Sequence, residues 1–205
     1  MTSRPSAAPP PQPLTAVQRG FFSAWRLHPD RPVDTRTMTL DWAAEIDPDA
    51  FADAFRALVA ATDSLRLRLL ETPGGALQEA PEGAEAPLAI RDLRAEDDPR
   101  AAALAWLEAR AREPFDLAAG VTRAALVRIG EARWLWQLTQ HHVATDHASA
   151  ALHVARLDAL YRERLETGRL APRRFPGFLD ALAAARAEAE AAAAAGPTPA
   201  PAPAG

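Results

Sequence analysis

Between residue 14 and about residue 180 the spacing of apolar residues changes period repeatedly, from about 3.6 to 2 and back. A chain patterned this way is restricted to layers of strand and helix packed face to face. Residues 14–25 read as a helix with Thr15 as N-cap and Val17, Phe21 and Trp25 near one stripe. Residues 37–42 alternate like a strand. Asp47 followed by Pro48 opens a helix, and Phe51, Phe55, Leu58 and Val59 fall on its inner face. Residues 65–70 alternate, with Arg66 and Arg68 on one side. Pro73, Gly74 and Gly75 form a turn, and residues 76–79 return as a paired strand. Residues 88–93 are a further strand. Asp98 and Pro99 start another helix, with Leu104 and Leu107 inward. Residues 121–129 and 134–139 flank Gly130 and Glu131 as a hairpin, and Trp134 and Trp136 share a strand face suited to packing. Residues 148–165 form a long helix with Leu157, Leu160, Tyr161 and Leu165 on one stripe. The expected class is α+β, a mixed sheet covered by helices.

The ends differ in composition from this zone. Residues 1–13 are Pro-rich, carry almost nothing to bury and are expected to be disordered; they lack the apolar stretch of a secretory signal. Residues 14–180 are the expected globular lobe, 181–196 an Ala-rich helix and 197–205 a Pro/Ala tail. About half of the 48% apolar content is alanine, so the large-side-chain core is modest. The net charge of −4, with no lysine at all, gives no basic surface for nucleic acid or anionic membrane. No run of large apolar residues is long enough to span a bilayer. The absence of cysteine removes disulfides, thiolate nucleophiles and Cys-ligated zinc, and fits a cytoplasmic location.

One ionisable cluster stands out. Residues 141–147, HHVATDH, hold three of the five histidines at the junction of a strand and a helix. Such junctions hold side chains rigidly at the mouth of a cleft. Three readings fit the spacing. One histidine accepts or orients a proton near neutral pH. Alternatively, His142 and Asp146, one helical turn apart, ligate a metal. Or the residues are polar groups at a helix start, with Thr145 or Asp146 acting only as a cap.

HHVATDH is similar to the HHxxxDG signature of condensation domains in nonribosomal peptide synthetases. The wider HxxxD class marks CoA- and carrier-protein-dependent acyltransferases typified by chloramphenicol acetyltransferase. Further segments resemble that family in the same order. LTAVQRGFF (14–22) looks like its S/T-x-x-Q-x-x-x-W helix, and ATDSLRLRL (61–69) like its RHExLRTxF segment. PFDLAAGVTRAALVRI (114–129) looks like PFDLxxGPLLRAxLLRL, and LYRERLETG (160–168) resembles the helix after the motif. The resemblance implies a chloramphenicol acetyltransferase-like lobe that forms an amide or ester from carrier-bound thioesters in secondary metabolism. It implies that His142 is the catalytic base for the acceptor amine, that His141 shapes the loop, and that Asp146 pairs with Arg66. It implies no metal and no cofactor bound by the chain, the phosphopantetheine being carried by partner carrier proteins. Gln18 of the first motif is expected to be structural.

Two departures qualify this resemblance. His147 stands where the family has a glycine beside the substrate tunnel, so an imidazole there is expected to narrow it. The resemblance also covers only the first half of a two-lobed domain. The second half's floor loop, crossover segment and DFGWG-like motif have no counterpart. A complementary C-terminal lobe or self-association is therefore expected. A non-catalytic module that docks a carrier protein or synthetase, and a CoA-dependent acyltransferase lobe, are the alternatives.

Overall fold

The computed structural model describes residues 10–195, with the side chains of 147, 148, 189 and 192–195 outside the description. In chain order the elements are β1 (Gln12–Pro13), α1 (Ala16–Leu27), β2 (Thr35–Trp42), α2 (Pro48–Ala61) and a short 3-10 helix (Asp63–Arg66). Next come β3 (Arg68–Thr72), β4 (Gly75–Glu79), β5 (Leu88–Asp92) and α3 (Pro99–Ala111). The chain continues through β6 (Thr122–Gly130), β7 (Arg133–His141), α4 (His147–Thr167) and α5 (Phe178–Ala195).

The strands form two sheets. The larger runs β2-β7-β6-β5, antiparallel except for the parallel pair β5–β6. The smaller runs β1-β4-β3. Alternation along β7 sends its residues to two faces. Trp134, Trp136 and Leu138 join Phe51, Phe55 and Leu58 of α2 and Leu157 and Leu160 of α4 in the main core. Trp42 of β2 stacks on Trp136 at 5.5 Å, and Phe51 meets both rings edge-on. Leu135 faces the other way, with Ala125 and Val127 of β6, onto Ala103 and Leu107 of α3. A third cluster joins α1, α5 and the small sheet to Val143 and Ala144 just after β7. The mixed sheet covered by helices is the α+β arrangement the alternating periods predict.

Local chemistry accounts for the helix starts. Thr15 caps α1, and Gln18 reaches back to the Thr15 amide, closing a capping box. Asp47 accepts from the amides of Asp49 and Ala50, and Pro48 occupies the first helical position.

Several expectations are corrected. In α1 the inward positions are Gln18 and Phe22, and Val17 is exposed. In α3, Ala103 and Leu107 face inward while Leu104 does not; in α4, Leu165 points outward. The alternating run at 65–70 is not one strand, because its first two residues close the 3-10 helix and β3 begins at Arg68.

The N-terminal segment is not wholly unstructured. Gln12 and Pro13 pair with Gln78 and Leu77, and the buried Gln12 amide donates to the Leu179 carbonyl. Proline has no amide hydrogen, which suits Pro13 to this edge strand.

Helix α5 begins at Phe178, before the Ala-rich run. The buried Asp63 carboxylate accepts from the amides of Phe178 and Leu179 at 2.9 and 2.8 Å. Gly177 allows this approach, since a Cβ there would meet Asp63 Oδ2 at 2.7 Å. The helix is thus fastened to the lobe at its first turn, with Leu179 fully buried. Residues 1–9 and 197–205, expected as disordered segment and tail, lie outside the described residues.

Candidate functional site

The motif occupies the turn between β7 and α4. Its position depends on the start of β2, where Asp34 adopts the left-handed region (φ 52°). Asp tolerates that conformation better than most residues. The turn aims the Asp34 carbonyl at the His142 amide, 2.8 Å away. Thr35 then lies opposite His141, and Arg36 opposite Gln140.

The two adjacent histidines have different surroundings. His141 is the last residue of β7 and is 1% exposed. Its Nδ1 accepts from the Val143 amide at 3.2 Å, so its proton sits on Nε2. Phe115 meets the ring edge-on. Burial pushes this imidazole down to about 4, so it stays neutral and shapes the turn.

His142 is half-buried, with its ring stacked on Phe21 at 5.0 Å and 7°. Nδ1 lies 2.9 Å from the Thr145 carbonyl. A carbonyl only accepts, so Nδ1 carries the proton and Nε2 holds the lone pair. Nε2 in turn accepts from Arg36 Nε at 2.7 Å.

Gln18 holds the turn from below. It is buried and makes a reciprocal amide pair with Gln78, at 2.7 and 3.0 Å. Its second amide hydrogen goes to the Val143 carbonyl at 2.9 Å. Both amide hydrogens and both acceptor positions of Gln18 are therefore used.

Asp146 and Arg66 are not brought together. Asp146 is the N-cap of α4, and its Oδ1 accepts from the Ser149 amide at 2.8 Å and hydroxyl at 2.7 Å. The Ser149 hydroxyl, then its amide, hold the Asp146 carboxyl below the usual carboxylate range. The 3-10 helix turns Arg66 the other way, toward the carbonyls of Ala80 and Pro81. The expected ion pair is thus replaced by a helix cap and a strap on the turn after β4. Asp146→Ala is expected to destabilise the fold by about 1 kcal/mol, and Asp146→Asn by less, as for other N-caps. Urea unfolding of both variants checks this. His147 starts α4, but its side chain lies outside the described residues.

Two cavities flank the turn. One, of about 360 Å³, is lined by Phe21, Ser64, His142, Ser149 and Phe178 among others. The second, of about 350 Å³, lies against β2 and is lined by Arg36, Met38, Gln140, Ala150 and Ala151 among others. They share Thr145 and Asp146 as walls. A larger apolar cavity of about 590 Å³, bordered by Trp42, Phe51 and Tyr161, opens at the far end of β2 and shares Ala151 with the second cavity. Among the described residues no group of three or more His, Asp or Glu is placed to share a metal ion. No described helix is long and apolar enough to cross a membrane.

Chemically, the arrangement presents one imidazole with a fixed proton on Nδ1 and a lone pair at Nε2, between two cavities. The sequence pattern alone does not reveal Arg36, Thr145 and Ser149 as partners. A signal for Arg36 is nevertheless present, because it stands in phase with Met38, Leu40 and Trp42, where the alternation calls for an apolar residue.

Comparisons with known proteins agree with the family resemblance. A family model described as Condensation domain matches residues 11–193. Isonitrile lipopeptide synthase of Streptomyces coeruleorubidus is 34% identical over 153 residues, 73% of this chain and 10% of that one. The dimodular nonribosomal peptide synthase of Bacillus subtilis is 29% identical over 170 residues, 82% of this chain and 7% of that one. Among solved structures, the starter condensation domain of rhizomide synthetase superposes with a TM-score of 0.79 at 28% identity, covering 89% of this chain and 44% of that one. A mutant of the same domain in complex with C8-CoA and Leu-SNAC superposes at 0.77 with 29% identity, over 88% and 44%. The chain therefore spans less than half of these solved domains and a tenth or less of these synthases.

Proposed function

This chain belongs to the condensation-domain family, and we propose that it supplies the histidine-bearing lobe of an acyl-transfer site in nonribosomal peptide synthesis. The observation that carries this reading is the state of His142, with Nδ1 protonated toward Thr145 O and Nε2 left as the basic atom.

The reaction is attack of an acceptor amine on a donor thioester. The amine nitrogen forms a bond to the thioester carbonyl carbon and acquires positive charge as it does so. His142 Nε2 takes the proton from that nitrogen. The tetrahedral intermediate then collapses, the carbon–sulfur bond breaks, and the thiolate leaves and is reprotonated. An ester forms in the same way from a hydroxyl acceptor. Rigid supports around the imidazole suit it to this proton transfer, since Phe21 fixes the ring plane, Thr145 the tautomer, and Gln18 the turn. His141, neutral and buried, acts on the backbone rather than on substrate.

Both substrates are proposed to arrive as thioesters on carrier proteins, each through a phosphopantetheine arm, with a complementary lobe completing the site. A CoA thioester is the second donor reading, favoured by the solved neighbour that holds C8-CoA. The test is reconstitution. This chain, supplied with a complementary condensation-domain lobe, is given an acyl donor on a carrier or on CoA together with an aminoacyl carrier. Amide product is expected. Carrier capture without product from either donor would instead identify a docking module.

A further inference from the structure

The pair Arg36–His142 joins the two cavities beside the motif, since Arg36 lines only one of them and His142 only the other. We propose that Arg36 is a positioning residue for His142: its guanidinium fixes the Nδ1–H tautomer and covers Nε2 until an amine N–H takes its place.

Three observations carry this. First, an arginine occupies the inward phase of β2, continuing the row Trp42, Leu40 and Met38, where packing alone would place an apolar side chain. Second, its Nε lies 2.7 Å from His142 Nε2. A guanidinium only donates, so this bond exists only while Nε2 keeps its lone pair. With the Thr145 carbonyl on the opposite nitrogen, both ring positions select the same tautomer. Third, Arg36 is exposed and has no carboxylate partner among the described residues. Its bond to His142 is therefore readily exchanged.

The exchange matches the proposed chemistry. A neutral acceptor amine presents an N–H to Nε2 with the same polarity as Arg36, so it can displace the guanidinium without changing the tautomer. The functional side of this inference rests on His142 being the proton acceptor.

The test is nitrogen-15 NMR of the histidine rings in the full chain at neutral pH. Wild-type His142 is expected to show one tautomer, protonated at Nδ1, with Nε2 at the position of a hydrogen-bonded acceptor. In Arg36→Met, which keeps bulk but no donor, the Nε2 signal is expected to move to that of a free acceptor and the second tautomer to appear. Arg36→Lys is expected to restore part of the wild-type pattern. The buried His141 and His153 rings report whether the fold is kept. An Nε2–H tautomer in the wild type, or His142 signals unchanged in a folded Arg36→Met, would overturn the proposal. Neither outcome depends on turnover, so failure here is separate from failure of the acyl-transfer reading.

Discussion

Lowering the pH from about 6.5 to about 4 is expected to remove about 6 kcal/mol of stability, carried by two buried histidines. His141 is 1% exposed and His153 is 2% exposed. Burial pushes both imidazoles down to about 4, against 6.5 for the free group. For His153, the nearby Arg156 lowers it further, and its Nδ1 has no hydrogen-bond partner among the described residues. The unfolded chain therefore takes up protons at these two sites below 6.5 while the folded chain does not. Acid accordingly favours unfolding: the contribution is complete above about 6.5 and shrinks as the pH falls toward 4. Each histidine contributes about 1.4 kcal/mol per pH unit inside that window, or about 3 kcal/mol across it.

That loss is large against the 5–15 kcal/mol typical of a folded domain. Carboxylates act lower on the scale. Asp92, for example, is held at about 2 by Arg94, so its pairing is lost in stronger acid. Denaturant unfolding at a series of pH values measures the slope. His141→Asn, which keeps an acceptor for the Val143 amide, and His153→Leu are each expected to remove about half of it. A slope that stays at its wild-type value in both variants would show that the titrating groups lie elsewhere.

The architecture is legible in the sequence because its signals are local. Period-2 and period-3.6 patterns locate the strands and helices, and Asp47 with Pro48 announces α2. What the pattern hides depends on partners distant in sequence. Thr15, three residues before it, accounts for one bond of Gln18, but its burial depends on Gln78 and Val143, distant in sequence. The earlier start of α5 follows from Asp63, more than a hundred positions away. The same holds at the site. The motif identifies His141 and His142, but likeness alone pairs Asp146 with Arg66, whereas Ser149, three residues on, satisfies it locally. Arg36 breaks the strand pattern, yet its meaning emerges only once β2 pairs with β7 and brings it to His142.

In the proposed function, His142 Nε2 accepts the proton of the attacking amine. A positioned general base contributes about 10²–10⁴ in rate, equivalent to about 3–5 kcal/mol of barrier. His142→Ala should lower the rate of the chemical step by that factor while leaving carrier binding intact. His141 and Gln18, which shape the turn, are unsuited as controls because their loss would move the backbone. Asp146→Asn serves, since the cap to Ser149 is retained. The decisive measurement is single-turnover amide formation by the reconstituted domain with preloaded donor and acceptor, comparing wild type, Asp146→Asn and His142→Ala. Near wild-type product formation is expected for Asp146→Asn and a loss of at least about a hundredfold for His142→Ala. A His142→Ala domain that forms amide at the wild-type rate would contradict the proposed role of His142.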